Sequence, residues 1–239
     1  MNNRFIIPSA VLGTSLILSV IVFGINWKST KKENQTITVT GSAKKEIKAD
    51  LGVLKGSINA FGASQKSAFE QINSQKPILI EYFSSKGFDV TKIIFETINI
   101  YAQYNYVNGN QGSLIGYNAS QTFKIESNDV EKIQAISLDI SSLYSKGLEF
   151  QIFSPEYYYT KLAEIKIEIQ AEAAKDAMNR AKKIAEATES NIGPMKNARM
   201  GVLQITPVNS NMVSDYGMND VSSIEKEITA VVNASFEIE

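Results

Sequence analysis

Apolar positions along the chain form one continuous run and, after it, periodic patterns. Residues 5–27 contain no charged side chain. A helix over this run would be roughly 34 Å long at 1.5 Å per residue, which is enough to cross the ~30 Å hydrocarbon core of a bilayer. The run therefore predicts one N-terminal transmembrane helix. Residues 1–32 would form a membrane anchor or uncleaved signal with its linker, and residues 33–239 the folded domain.

The apolar run has a second interpretation, as a cleaved signal peptide. Cleavage needs small residues at the cut, and residues 22–24 could serve. The full membrane length of the run, with Trp27 at the position of an interfacial aromatic residue, favours an uncleaved anchor. Lys28, Lys31 and Lys32 follow the run, so a count of positive charges would place the domain in the cytoplasm.

After residue 35, apolar positions follow either the two-residue period of strands or the 3.6-residue period of helices. Strands are predicted at residues 36–40, 47–60, 93–107, 113–126, 148–153, 198–206 and 226–238. Helices are predicted at residues 63–86, 128–146 and 159–190. The order ββαββαβαββ predicts an α+β fold, with antiparallel sheets packed with helices.

Each predicted helix has one apolar stripe that should be buried. The stripes consist of Phe69, Ile72, Leu79 and Phe83; of Val130, Ile133, Ile140 and Leu143; and of Ile165, Ile169, Ala173, Ala177 and Ala181. Asn128 is the predicted N-cap of the second helix. The alanines of the third stripe are small, which would allow that helix to lie close to its neighbour.

Several positions predict irregular structure. The apolar phase slips between Val53 and Leu54, which predicts a bulge or bend within one long strand. Pro77 predicts a kink in the first helix, or its division in two. Residues 108–112 are the predicted tip of a hairpin. Residues 207–225 show little periodicity, and an insertion of this length is commonly either functional or disordered.

The composition excludes several classes of function. The chain is 44% apolar and 21% charged with a net charge of −1, so it has neither the composition of a disordered protein nor the basic surface that nucleic acid requires. It contains no Cys and no His. Disulfides, thiol nucleophiles, Ser–His–Asp catalysis and most zinc sites are therefore excluded.

An acidic row at four-residue spacing is one candidate site. It consists of Glu164, Glu168, Glu172 and Asp176, and it is followed by Arg180. Carboxylate oxygens suit calcium or magnesium, which would make the row a cation-binding surface. The simpler interpretation is a solvated helix face opposite the apolar stripe, because no glycine-containing ligand loop accompanies it. We adopt the simpler one.

Tyrosines form a second candidate group. Tyr101, Tyr104, Tyr106 and Tyr117 lie on two predicted strands, and Tyr157, Tyr158 and Tyr159 precede the third helix. They could line a surface for a ligand or glycan, or contact another copy of the chain, since tyrosine is common at interfaces. Half-buried packing on strands is the simpler interpretation.

Two further patterns carry no function. Residues 109–112 are rich in glycine, but they lack the helix and the Lys-Ser/Thr pair of a phosphate-binding loop. Serines and lysines are abundant, so a catalytic Ser–Lys pair is conceivable without being indicated. We assign no catalytic, cofactor-binding or metal-binding residue and no cofactor.

Four blocks of sequence resemble the SIMPL domain family of bacterial and archaeal envelope proteins. They are the strand at residues 37–41; residues 86–90 with Ile93 and Thr97; residues 116–121; and the alanine-rich helix with its stop at residues 191–193. The family usually carries an acidic or proline-containing turn after the second-strand bend, and of that turn the chain keeps Asp50. The resemblance extends over residues 36–239.

The resemblance implies an α+β domain outside the cytoplasm, in some family members a ring-like homo-oligomer, with no enzymatic activity established. We therefore expect a non-enzymatic, single-pass protein of the cell inner membrane, with its C-terminal domain in the periplasm or extracytoplasmic space. It would be a self-assembling scaffold, linked to envelope or oxidative stress. The alternatives are a binding module for a peptide, glycan or lipid, through the Tyr-rich strands or residues 207–225, and a hydrolase with a buried carboxylate or lysine in a cleft.

Overall fold

The structure is a computed structural model, and it describes residues 6–32 and 35–238. The helices are α1 (Ile6–Lys32), α2 (Gln65–Ser85), α3 (Val130–Asp139) and α4 (Leu162–Ala187), with 3-10 helices at Val90–Lys92 and Ile140–Lys146. The first strands are β1 (Thr36–Lys48), β2 (Leu51–Gly62), β3 (Ile94–Phe95), β4 (Asn99–Val107) and β5 (Asn110–Ser127). The others are β6 (Phe150–Ile152), β7 (Glu156–Tyr158), β8 (Ile192–Met200), β9 (Gln204–Pro207), β10 (Met218–Asn219) and β11 (Glu225–Ile238).

The fold is α+β, with helices packed on antiparallel and mixed sheets. One sheet has the order β1-β11-β9-β10, with β8 also paired to β11. The other has the order β3-β5-β2-β6, with β4 paired to β5 and β7 paired to β2. The observed order contains more strands than the predicted one.

The predicted apolar run lies within α1, except for Phe5, which lies outside the described residues; α1 continues beyond the run to Lys32. The large apolar side chains between Val11 and Phe23 are exposed. Within the described residues, no helix combines the length and the apolar character that a membrane crossing requires.

The chain forms two compact units. The first unit takes the residues up to Lys45, Glu164–Leu203 and the residues from Thr229 onward; the second takes Glu46–Ala163 and Gln204–Ile228. Residues of β1 and β11 therefore belong to both units.

In the first unit, the predicted stripe of α4 is buried in full, and Ala185 extends it. Inward residues of β11, among them Ala230, Val232 and Ala234, are buried as well. The helix backbone lies close to β1, because a Cβ atom added to Gly41 would be 2.3 Å from both Ala173 O and Ala177 N. Small residues on both elements make this approach possible.

In the second unit, β2 and β5 form the central ladder. They pair antiparallel through eleven residues each, from Gly52 opposite Ser127 to Gly62 opposite Tyr117, without a register shift. Helices α2 and α3 and the 3-10 helix after α3 bury their apolar stripes against one face of this sheet. The core residues include Leu54, Ile58, Ile72, Phe83, Phe123 and Ile133.

The predicted bulge within one long strand is wrong. The chain leaves β1 at Lys48 and enters β2 at Leu51, and both Ile47 and Ala49 belong to the segment before the turn. Val53 is buried on the sheet face opposite Leu54, which produced the apparent slip in phase. Asp50 stabilises the turn, because its carboxylate accepts hydrogen bonds from Thr160 N (2.7 Å) and Oγ1 (2.8 Å).

Three predictions about helices need correction. Pro77 does not divide α2, which is one helix from Gln65 to Ser85 with the proline inside it. Phe69 is 45% exposed, and Tyr82 is buried beside the rest of that stripe. The N-cap of α3 is Asp129, whose carboxylate accepts from Lys132 N, whereas Asn128 donates to the backbone of Asp50.

Strand boundaries differ from the prediction in three places. The predicted strand at 93–107 is divided into β3 and β4, and the predicted strand at 198–206 into β8 and β9. The third predicted helix begins later than residue 159, at Leu162, and the strand β7, which pairs with β2, precedes it. β3, β4 and β8 lie at sheet edges, where both faces of a strand can be exposed and apolar alternation is weak, whereas β9 lies between β11 and β10.

We expect Gly41→Ala to destabilise the first unit, because the new methyl group would overlap the α4 backbone. The free energy of unfolding should fall by about 1–3 kcal/mol. The control is Gly24→Ala in α1, where an added Cβ meets no atom within 4 Å. Urea unfolding of both variants checks this, and equal midpoints would contradict the close packing.

Candidate functional site

Segment 207–225, predicted as an irregular insertion, contains a buried polar cluster. The Asp220 carboxylate accepts hydrogen bonds from the backbone amides of Ser222 (3.0 Å) and Ser223 (3.2 Å) and from both of their hydroxyls. Lys226 Nζ donates to Asp220 O (2.6 Å) and to Asp220 Oδ2 (3.0 Å). The Lys226 side chain is 1% exposed and that of Asp220 9%. We call these four residues the Asp220 cluster.

Burial and hydrogen bonding act on the charges of this cluster in opposite directions. Burial alone would raise the pKa of the Asp220 carboxyl, but hydrogen bonds from Ser222, Ser223 and Lys226 bring that pKa well below its ordinary value. Burial lowers the pKa of the Lys226 ammonium, and Asp220 opposes this shift. Asp220 therefore stays a carboxylate at neutral pH and can serve as the counter-charge of Lys226.

A buried lysine with a lowered pKa occurs both in catalytic sites and in structural ion pairs. Here both acceptors of Lys226 Nζ belong to Asp220. Four cavities have walls that contain Phe88, Ile184, Met178 and Val53, one residue in each. Neither Lys226 nor Asp220 lines any of the four. The arrangement fits a structural role, in which the cluster fastens segment 207–225 to the start of β11.

Further hydrogen bonds hold the same segment in place. Residues of β10 pair in parallel with β9, Met218 with Gln204 and Asn219 with Ile205. The backbone of Val221 accepts from Tyr157 N at 2.7 Å. The segment is thus ordered by these hydrogen bonds, although its sequence lacks the periodicity that would predict a strand.

A polar cavity of about 390 Å³ lies in the second unit beside the block at residues 86–90. Lys132 Nζ forms part of its wall, 2.7 Å from Gly87 O and 4.3 Å from the centre of the Phe88 ring. Asp89 faces the same space, and its carboxylate accepts from Thr91 N and Oγ1, which lowers its pKa. Two polar groups of the block therefore already have hydrogen-bond partners: Gly87 O accepts from Lys132, and the Asp89 carboxylate accepts from Thr91.

An apolar cavity of about 400 Å³ lies in the first unit. Its walls come from α4, from the start of β8 and from the end of β11; they include Ala174, Met178, Ile192, Pro194, Met195 and Phe236. Such a cavity could hold an apolar group, but it offers few polar side chains to orient one.

The acidic row of α4 contributes to links within the first unit. Asp176 Oδ2 accepts from Ser42 N and from Arg180 Nε, both at 2.8 Å, and the bond from Ser42 lowers the pKa of Asp176. Glu168 Oε1 lies 2.5 Å from Lys45 Nζ. Among the described residues, no group of acidic side chains is arranged to hold a metal ion.

The tyrosines do not form one group. Tyr157 is buried in the core of the second unit, and Tyr158 donates to Glu156 Oε2 at 2.6 Å. On the β4–β5 hairpin, Tyr101 is 58% exposed and Tyr106 71%. Tyr104 and Tyr117 are half-buried, Tyr159 likewise, and the four cavities above include none of these three.

The predicted hairpin tip is confirmed at Asn108 and Gly109. Both have positive φ, 52° and 79°, as a two-residue turn between antiparallel strands requires. The prediction placed the tip over five residues, whereas residues 110–112 already belong to β5.

A comparison with family models identifies the chain. The model of SIMPL, described as a protein of unknown function (DUF541), matches residues 37–236. A comparison with curated proteins finds no match. Because the match extends over most of the sequence, the chain belongs to the SIMPL family, and the resemblance seen in the sequence is confirmed.

We expect Asp220→Ala to leave the Lys226 ammonium buried without its counter-charge. The free energy of unfolding should fall by about 3–5 kcal/mol. The control is Lys66→Met, which removes an exposed i,i+4 pair with Glu70 and should cost less than about 0.5 kcal/mol. Urea unfolding checks both, and a variant of Asp220 as stable as the control would show that the cluster is not structural.

Proposed function

We propose that this SIMPL-family chain is a non-enzymatic protein of the cell envelope that is attached to a membrane and assembles with copies of itself. The observation that carries the proposal is the exposed hairpin of β4 and β5. Residues 97–123, which include most of this hairpin, contain no charged side chain. Tyr101, Tyr106, Leu114 and Ile115 are nevertheless exposed on it.

An exposed apolar and aromatic surface of this kind is typical of protein–protein contacts. Aromatic side chains supply large contact areas, and the absence of charge removes the cost of desolvating ions. Tyrosine is also common at interfaces. The hairpin therefore supports assembly, as does the homo-oligomeric state that the family resemblance implies.

Attachment to a membrane is supported by α1. Its described large apolar side chains are exposed from Val11 to Phe23, and apolar surface exposed to water is unfavourable. The structure describes the side chains of α1 only at residues 11–24 and at Trp27. The charge-free run of the sequence is longer, residues 5–27, and it is this full run that supports a membrane anchor. We propose that α1 inserts in the bilayer as a single anchor, with the folded units outside the cytoplasm.

The absence of catalysis is part of the proposal. Lys226 and Asp220, a lysine and a carboxylate that are both almost fully buried, are hydrogen-bonded to each other, and neither lines any of the four cavities named above. This supports a structural assignment over the hydrolase alternative.

A second candidate function is a binding module for an apolar ligand such as a lipid chain. The apolar cavity beside Met178 and Phe236 favours it. Its lining residues all belong to the first unit and include neither Tyr104 nor Tyr117, so this proposal does not use the Tyr-rich strands.

Membrane attachment through α1 is tested with the full chain in a bacterial host. We expect the chain to stay with the membrane fraction after an alkaline wash, and Leu16→Arg with Val20→Arg to release it. Each arginine at the centre of a bilayer costs about 3 kcal/mol. Leu138→Arg with Gln134→Arg, on the exposed side of α3, is the matched control. Release of the unmodified chain by the wash would contradict attachment.

Assembly is tested by light scattering of the full chain in detergent micelles. We expect a protein mass that is a multiple of 26.3 kDa and that falls on dilution. A single-chain mass at every concentration, up to the millimolar range, would contradict assembly and leave attachment unaffected.

A further inference from the structure

Strand β4 has one unpaired edge. It pairs with β5, and no other strand of the described residues pairs with it. The backbone N–H and C=O groups along a free edge can accept a strand from another chain, and proteins therefore block such edges with charges, proline, bulges or short strands.

The other edges of the two sheets carry these blocks. β3 and β10 have two residues each, and β6 and β7 have three. β1 contains four charged residues between positions 44 and 48. β8 contains Pro194, Lys196 and Arg199.

β4 has none of the compositional blocks. It is nine residues long and contains no charged residue, proline or glycine. Asn99, Tyr101, Gln103, Asn105 and Tyr106 are exposed along it. Its pairing with β5 has two register shifts, both after Gln103, so the edge is regular from Asn99 to Gln103. Among the long edges of the described sheets, β4 is the one whose composition leaves it open to a further strand.

We propose that β4 pairs antiparallel with β4 of a second copy, so that two six-stranded sheets become one continuous sheet across a two-fold axis. This inference rests on the assembly proposed above and names the surface that forms it. At about 3.4 Å per residue, the paired edge would be roughly 30 Å long. A two-fold contact of this kind uses the same surface on both chains.

The absence of charge identifies the second copy as the partner. In a symmetric pair, every charge on the edge would face the same edge of the other copy, and like charges across a pair of strands are destabilising. With no charge on β4, no register of self-pairing brings like charges together. β4 also offers no charge that would select an acidic or a basic peptide.

The test places charge on this edge in the full chain, in detergent micelles. We expect Tyr101→Lys with Asn105→Lys to raise the concentration at which half of the chains are associated by about tenfold or more. The control, Gln134→Lys with Leu138→Lys, adds the same charge to exposed positions on α3 and should leave association unchanged. Circular dichroism checks that both variants keep the native secondary structure.

Single cysteines provide the second measurement, because the chain has no Cys of its own. Opposite residues of an antiparallel pair are within disulfide distance. Only the residue on the two-fold axis faces its own copy, so single cysteines are placed in turn at each position from 99 to 106. We expect one of them to give a disulfide-linked dimer on mild oxidation, and Leu138→Cys to give none.

The outcomes separate the two proposals. A chain that is monomeric before any substitution contradicts assembly and self-pairing together. An oligomer that the lysines do not weaken contradicts self-pairing alone and leaves assembly intact. If the lysines weaken the oligomer but no β4 cysteine forms the dimer, β4 pairs with a different surface, which also contradicts self-pairing.

Discussion

The unshifted ladder between β2 and β5 is the constraint on which the second unit depends. A slip of one residue would turn Leu54 and Ile58 away from the helices and bring Lys55 and Ser57 into the core. The ladder therefore determines which face the helices cover. The ladder with β2 occupies one edge of β5, and β4 pairs with the other edge of β5. The second edge of β4 then pairs with no strand of the described residues.

Polar groups in this fold mainly connect parts of the same unit. Asp50 holds the turn between β1 and β2, Asp176 links α4 to β1, and Asp220 holds the start of β11. The β4–β5 hairpin is different, since residues 97–123, which form most of it, contain no charged side chain. This contrast separates surfaces that stabilise a unit from the surface that we assign to assembly.

Sequence patterns predicted the elements whose two faces differ strongly. The stripe from Ile165 to Ala181 is buried as predicted, because one face of α4 packs on a sheet. β8 was missed in part because both of its faces are exposed, so its apolar residues do not alternate. The sequence predicts Lys226 at the start of the last strand, but not that its side chain is buried on the same face as Ile228 and Ala230. Its burial depends on Asp220, a contact that no local pattern reveals.

Hydrogen–deuterium exchange along β4 tests the central claim most directly. Amides on the outer edge of β4 are predicted to exchange rapidly in the dissociated chain and to become protected as the protein concentration rises. Amides of β8, whose edge carries charge and proline, should exchange equally in both states. If β4 exchanges at the same rate in the assembled and the dissociated protein, its edge is not the contact between copies.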